Sequence, residues 1–179
     1  MSQYLKKYII TGAPGTGKTT LINYLSKEYA CMNEVSRKVI SGEQEKGGDG
    51  TPWQNLPKFA RLLYQAFILE LDSNPQAQFT DRSLLDLIAY LQLEGHPIPT
   101  ELKHFPYHDQ FMNQVFFAPA WETIYHQDAQ RQQSFAYCEK LEKSLRQSYQ
   151  QLGFEVIILP RVSVSERVVF VKAHVGANM

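Results

Sequence analysis

Short apolar runs alternate with longer amphipathic stretches along this chain, an order that predicts βαβ units and a parallel sheet covered on both faces. The first run, Tyr8-Ile9-Ile10-Thr11, leads into a glycine-rich turn, and the helix expected over about 18–27 gathers Leu21, Ile22 and Leu25 on one side. A second, weaker strand is expected within 29–35. From 57 to 72, Phe59, Leu62, Leu63, Ala66, Phe67 and Leu69 recur at helical spacing until Ser73-Asn74-Pro75 breaks the pattern. A third strand follows at 77–80, then a helix over 84–93 before Gly95. The stretch 96–108 carries three prolines and no period, and reads as a surface insertion spanning about 95–112. A fourth strand, 114–118, stops at Pro119; a polar helix over about 129–152 ends at Gly153, as a C-terminal cap should; a fifth strand occupies 154–159. Ser163 and Glu166 have capping-box spacing, which favours a final helix over the strand that Val168-Val169-Phe170-Val171 would also suit. Gly47-Gly48-Asp49-Gly50 is the one flexible-looking patch. The expectation is one α/β domain over 1–179, a three-layer sandwich around a five-stranded, mostly parallel sheet.

The turn after the first strand is Gly12-Ala13-Pro14-Gly15-Thr16-Gly17-Lys18-Thr19, which satisfies G-x-x-x-x-G-K-[ST] in full. Glycines there let successive N–H groups turn inward, and the following helix N-terminus, with Thr20 in its first turn, adds positive partial charge where polyphosphate oxygens lie. Lys18 supplies a full charge for the β- and γ-phosphates of ATP or GTP, and the Thr19 hydroxyl suits Mg²⁺, a hard ion that takes oxygen ligands. A chance match at a given start is on the order of one in ten thousand or rarer. A phosphate-binding loop is therefore expected from motif and context together.

In an open parallel sheet, ligands bind beyond the carboxyl ends of the strands. The polar residues there are Glu34, Ser36 and Arg37 after strand two, Asp81-Arg82-Ser83 after strand three, Glu122, Asp128 and Arg131 after strand four, and Arg161 after strand five. Asp81 is placed to act on Mg²⁺ through a water, or else to cap a helix. Arg82 follows it, where machines that hydrolyse ATP for mechanical work carry a glutamate; this departure favours transfer over hydrolysis. Asp81-Arg82-Ser83 resembles the acidic-Arg-Ser signature of deoxyribonucleoside kinases, and that resemblance implies Glu34 as general base and Arg82 as a phosphate or substrate clamp. The segment 119–131 lies where small kinases keep a lid, from which Arg131 would reach the transferring phosphoryl group, or else be a solvated helix charge. Trp121 and Tyr125, four apart, read as helix packing rather than as a base-stacking platform.

Composition narrows the partners. Eighteen basic and eighteen acidic residues give a formal net charge of zero, so nothing suggests sequence-independent attraction to nucleic acid. No apolar run approaches the roughly 18 residues of a membrane span, and a cytoplasmic address is expected. Cys31 and Cys138 stand apart without metal-binding spacing, and the five histidines show none either.

Across most of its length the chain resembles the small AAA-like P-loop ATPases related to the nicotinamide riboside kinase domain and to the TRPL translocation defect protein. The likeness rests on the phosphate loop, on Glu34-Val35-Ser36-Arg37-Lys38-Val39-Ile40, on Thr80-Asp81-Arg82-Ser83 with Asp86 and Tyr90, on Trp121 with Asp128 and Arg131, and on Leu159-Pro160 followed by Ser165-Glu166-Arg167. It implies a kinase-like core with a helical lid, binding of ATP and Mg²⁺, and, in the riboside-kinase branch, phosphorylation of a small hydroxyl-bearing molecule. The N-K-x-D motif of regulatory GTPases is absent, which leaves ATP the better expectation. Two functional readings follow: an ATPase or small-molecule kinase, and a nucleotide-gated module that presents a surface to a protein or lipid.

Overall fold

The computed structural model describes residues 5–126 and 133–176. In chain order the elements are β1 (Lys7–Gly12), α1 (Lys18–Leu25), β2 (Cys31–Met32), α2 (Val35–Glu45), α3 (Leu56–Ser73), β3 (Phe79–Asp81), α4 (Leu84–Leu93), α5 (Thr100–Lys103), α6 (Tyr107–Gln110), β4 (Phe111–Ala118), a 3₁₀ turn (Glu122–Ile124), α7 (Phe135–Gln151), β5 (Glu155–Ile158) and α8 (Val164–Gly176). The strands line up as β2-β3-β1-β4-β5, and each of the four pairings is parallel. The sheet expected to be mostly parallel is wholly so among the described strands.

Alternation along the strands sorts the core into two layers. Ile9 and Val115 face the side covered by α2, α3 and α4, joined by Tyr149 from α7. Tyr8, Ile10 and Phe116 face the side covered by α1 and α8, through Leu21, Leu25, Val171 and Val175. Phe117 meets Leu141 and Leu145 of α7. Strand order runs outward on both sides of β1, so the carboxyl end of β1 sits at the crevice where this class of sheet holds its ligand.

Three local expectations are corrected. The second strand is only two residues long, because the chain turns into α2 at Val35. The stretch 96–108 lies largely at the surface but is not unpatterned: it carries two short helices and anchors on Leu102, Phe105 and Tyr107, which are buried, with the Phe105 and Tyr107 rings 4.8 Å apart edge to face. The glycines of the 47–50 patch serve a close approach. Glu43 Oε2 accepts from the Gly50 N–H at 3.0 Å and pairs with Lys58 at 3.1 Å, and a Cβ on Gly48 or Gly50 would come within 2.4 or 2.6 Å of that oxygen. Backbone wraps a carboxylate there, where any side chain would clash.

Two helix boundaries follow from capping. Ser134 Oγ accepts from the Tyr137 N–H and starts α7 at Phe135, while the expected first residues of that helix at 129–132 lie outside the described residues. The final helix forms, with Ser163 N–H and Oγ both bonded to the Glu166 carboxylate.

Candidate nucleotide and acceptor site

The loop between β1 and α1 is shaped by its glycines. Gly12 ends β1 opposite Ala118 of β4, and a Cβ on it would lie 2.1 Å from the Ala118 carbonyl oxygen. Gly17 takes φ 81° as the residue that opens α1. Lys18 is buried, and its Nζ donates to the Ala13 carbonyl at 2.7 Å and to Thr16 Oγ1 at 3.2 Å. Burial, with Arg82 nearby, pushes the Lys18 ammonium down to about 7 despite the opposing pull of Asp81 and Glu34. Such a cation is short of negative charge, which a polyphosphate would supply.

Above the loop lies a cavity of about 490 Å³. Pro14, Gly15, Thr16, Gly17, Lys18, Thr19 and Thr20 form its floor, whereas Gly12 and Ala13 are buried beneath it. Glu34, Asp81 and Arg82 stand at one end, as the sequence expected, with Ser36, Arg37, Asp86 and Tyr90 beside them. Behind these polar groups is an apolar recess of Ile40, Phe59, Leu63, Phe67 and Leu87. At the other end are Trp121, Ile124, Val162, Val164 and Arg167. Arg131 and Asp128 lie outside the described residues.

Glu34 immediately precedes α2, in the capping position, yet it makes no side-chain bond to the helix N–H groups. Its carboxylate turns inward instead. Oε1 accepts from Ser36 Oγ at 2.5 Å and Arg82 Nε at 3.1 Å, and Oε2 accepts from Arg37 Nε at 3.3 Å. Burial pushes Glu34 upward, but Arg82 and Lys18 outweigh that and hold it near 2, so it is a carboxylate at neutral pH. Of about four lone-pair sites on a carboxylate, the one left among the described residues is on Oε2.

Arg82 has φ 72°, the left-handed region that side chains avoid. That turn aims its guanidinium back across the sheet ends, where Nε reaches Glu34 and Nη1 donates to the Gly12 carbonyl at 2.9 Å and to Asp86 Oδ1 at 3.0 Å. Asp86 is the hub beneath. It completes the α4 capping box with Ser83, and it accepts from Thr11 Oγ1 and from the Tyr149 hydroxyl, each at 2.5 Å. The clamp expected at Arg82 is thus braced on three sides, leaving Nη2 without a protein partner among the described residues.

The donor set for a divalent cation fits. Thr19 Oγ1 lies 3.3 Å from Asp81 Oδ2, and Asp81 Oδ1 is buried with no hydrogen-bond partner among the described residues. Burial and the neighbouring Glu34 push Asp81 up to about 6, the mark of a carboxylate short of positive charge. Asp81 does not cap α4, a task that falls to Ser83.

Two neighbours of the site escaped the sequence reading, and a third was named there without a role. Thr11 and Tyr149 sit at core positions of β1 and α7, with nothing to separate them from packing residues. Arg167, which entered the sequence reading only through the family resemblance and without a role, is buried and donates to the Thr16 carbonyl at 2.8 Å. Trp121 and Tyr125, expected on one helix face, flank the short 3₁₀ turn instead.

Fold and loop together define a P-loop nucleotide-binding protein with a kinase-like core. A family model described as an AAA domain matches residues 7–167, and the chain belongs to that family. A comparison with curated protein sequences finds no match. Among solved structures, the deoxyadenosine kinase from M. mycoides with bound dATP is similar at 15% identity and a TM-score of 0.66, over 96% of this chain and 100% of that one. The NadR protein in complex with NAD and AMP-PNP shares 18% identity with a TM-score of 0.64, over 97% of this chain but 49% of that one. Thymidylate kinase from Ehrlichia chaffeensis, at 16% identity and a TM-score of 0.54, covers 96% and 98%. At these identities the likeness is one of fold. Among the described residues, no helix is long and apolar enough to cross a membrane.

Proposed function

We propose that this protein is a phosphotransferase that moves the γ-phosphoryl group of ATP to a hydroxyl of a small molecule held in the recess behind Glu34. The observation that carries the reading is the Glu34 carboxylate, with one free acceptor position, within electrostatic reach of Lys18 in a cavity that also has apolar walls. An acceptor hydroxyl that donates to Oε2 is oriented toward the phosphate loop. A carboxylate held near 2 is a weak base, so Glu34 fixes the hydroxyl first and takes its proton late, as a loose phosphoryl-transfer transition state permits. Lys18 and Arg82 Nη2 stabilise charge on the transferring group. Thr19 and Asp81 would hold Mg²⁺, which supplies charge neutralisation on the phosphates. Arg131, on the 119–131 lid, is assigned to the same charge.

Arg82 rather than a carboxylate follows Asp81, so the position from which hydrolysing machines activate water carries a cation, paired with Glu34 and Asp86. The structural neighbours support the choice of donor: their named ligands include dATP and AMP-PNP. Their kinase chemistry supports transfer, and the apolar recess suits a hydroxylated compound with a flat, weakly polar group, such as a nucleoside or riboside. The test is ADP release from ATP and Mg²⁺, alone and with a panel of nucleosides, ribosides and other small alcohols, with Lys18→Ala as blank. One compound is expected to raise the rate strongly. Equal release with and without every compound contradicts transfer.

A further inference from the structure

The end of the cavity away from Glu34 contains an arrangement that phosphate chemistry does not require. Trp121 follows β4 after Pro119 and Ala120, in extended conformation, so its ring is not on an α-helical face. The Arg167 guanidinium carbon lies 5.0 Å from the centre of that ring. The same guanidinium is held by two backbone carbonyls, with Nε donating to Pro160 and Nη1 to Thr16, each at 2.8 Å. Its Nη2 is buried with no hydrogen-bond partner, and no carboxylate pairs with it among the described residues. A buried arginine without a counter-ion is costly, and the π face of Trp121 is the electrostatic partner it has.

This fixes where the ring stands. Thr16 belongs to the phosphate loop, so Arg167 ties Trp121 directly to it. A Cβ on Gly17 would lie 3.5 Å from Arg167 Nη1 and 3.6 Å from Ile124 Cδ1, which places the 121–124 segment against the start of α1. Val162 and Val164 line the same slot of the cavity, with Ser163 and His126 as its polar members. The described residues lining this slot include no carboxylate, in contrast to Glu34, Asp81 and Asp86 at the opposite end. Phosphates on the loop would leave the two ends for two different groups. The aromatic, apolar end suits a flat ring, and stacking on an aromatic side chain accepts any base because every base has a π face.

We infer that Trp121 is the platform on which the nucleobase of the triphosphate donor stacks, and that Arg167 is the positioning residue that fixes this ring to the phosphate loop. The inference rests on the nucleotide-donor reading above, and reverses the expectation that Trp121 is mere helix packing. It also predicts weak discrimination between ATP and GTP.

The chain has two tryptophans, and Trp53 lies outside the cavity, so Trp53→Phe leaves Trp121 as the sole reporter. In that variant ATP is expected to quench the emission, while inorganic tripolyphosphate, which has no base, binds with little change. By calorimetry, Trp121→Ala is expected to weaken ATP on the order of tenfold and leave tripolyphosphate unchanged, and Trp121→Phe to restore most of the loss. Arg167→Gln is expected to lower ATP affinity, again without loss of tripolyphosphate. Equal weakening of both ligands in Trp121→Ala, or no weakening of either, overturns the platform. Equal weakening of both in Arg167→Gln makes Arg167 a brace for the phosphate loop and removes its positioning role. A wild-type chain that binds tripolyphosphate as well as ATP removes base recognition but keeps the phosphate loop; one that binds neither removes the nucleotide reading too.

Discussion

At the Glu34 end of the cavity Glu34, Arg82 and Asp86 are each held by at least three partners, whereas at the Trp121 end one guanidinium ties the ring to two carbonyls, with Arg161 and Glu142 bonded only to the backbone of the preceding Ala120. Glu34 is fixed by Ser36, Arg37 and Arg82; Arg82 by Glu34, Asp86 and the Gly12 carbonyl; Asp86 by Thr11, Tyr149 and the Ser83 N–H. Buried ionic networks of this kind add little net stability, because desolvation consumes the Coulombic gain, but they fix geometry. The difference corresponds to the two tasks. An acceptor hydroxyl must meet a phosphorus atom at a set distance and angle, while a flat base needs only a surface.

The contrast can be broken most severely at Glu34. Glu34→Gln is expected to lower the rate of transfer by about 10²–10⁴-fold while changing ATP affinity far less; a loss confined to ATP affinity would merge the two ends into one function. Arg82→Ala leaves Glu34 and Asp86 buried without their shared cation and should cost about 3–5 kcal/mol of stability in urea unfolding. Arg82→Gly should cost about 1 kcal/mol less than Arg82→Ala, because it relieves the left-handed backbone.

Lys18 gives a pH test. Its folded value of about 7 in the free protein must rise when phosphate surrounds it, so binding takes up a proton above pH 7 and none from this group well below it. ATP affinity should therefore fall as pH rises through about 7, by up to tenfold per unit, with proton uptake near one at pH 8 by calorimetry in buffers of different ionisation enthalpy. Pairing at that site in the free protein, with no uptake, would contradict the charge-deficient loop. The smallest effect is expected from Tyr149→Phe. Loss of its hydroxyl from Asp86 and Ser83 should cost about 1 kcal/mol in thermal unfolding and leave ATP affinity unchanged.

These two ends were not equally legible in the sequence. The phosphate loop is contiguous, and Glu34, Asp81 and Arg82 fall just after apolar runs, so strand-end reasoning finds them. Arg167 and Thr16 are 151 positions apart, and no local pattern separates a helix arginine that turns inward from one that turns to water. The fold shows the same division. Helices α3, α4 and α8 carry clear periodicity or caps, but α2 offers only Val35, Val39 and Ile40 before Ser41-Gly42 and was missed. Proline and glycine misled twice. In 96–108 they mark turns around the buried anchors Leu102, Phe105 and Tyr107, and at Gly48 and Gly50 they make room for Glu43.

The most direct measurement follows the phosphoryl group itself. With ATP labelled at the γ-position, Mg²⁺ and the compound that most accelerates ADP release, the label should appear on that compound in proportion to ADP, and Glu34→Gln should suppress its appearance. Label recovered wholly as inorganic phosphate, at a rate unaffected by Glu34→Gln, would contradict the assignment of a phosphotransferase.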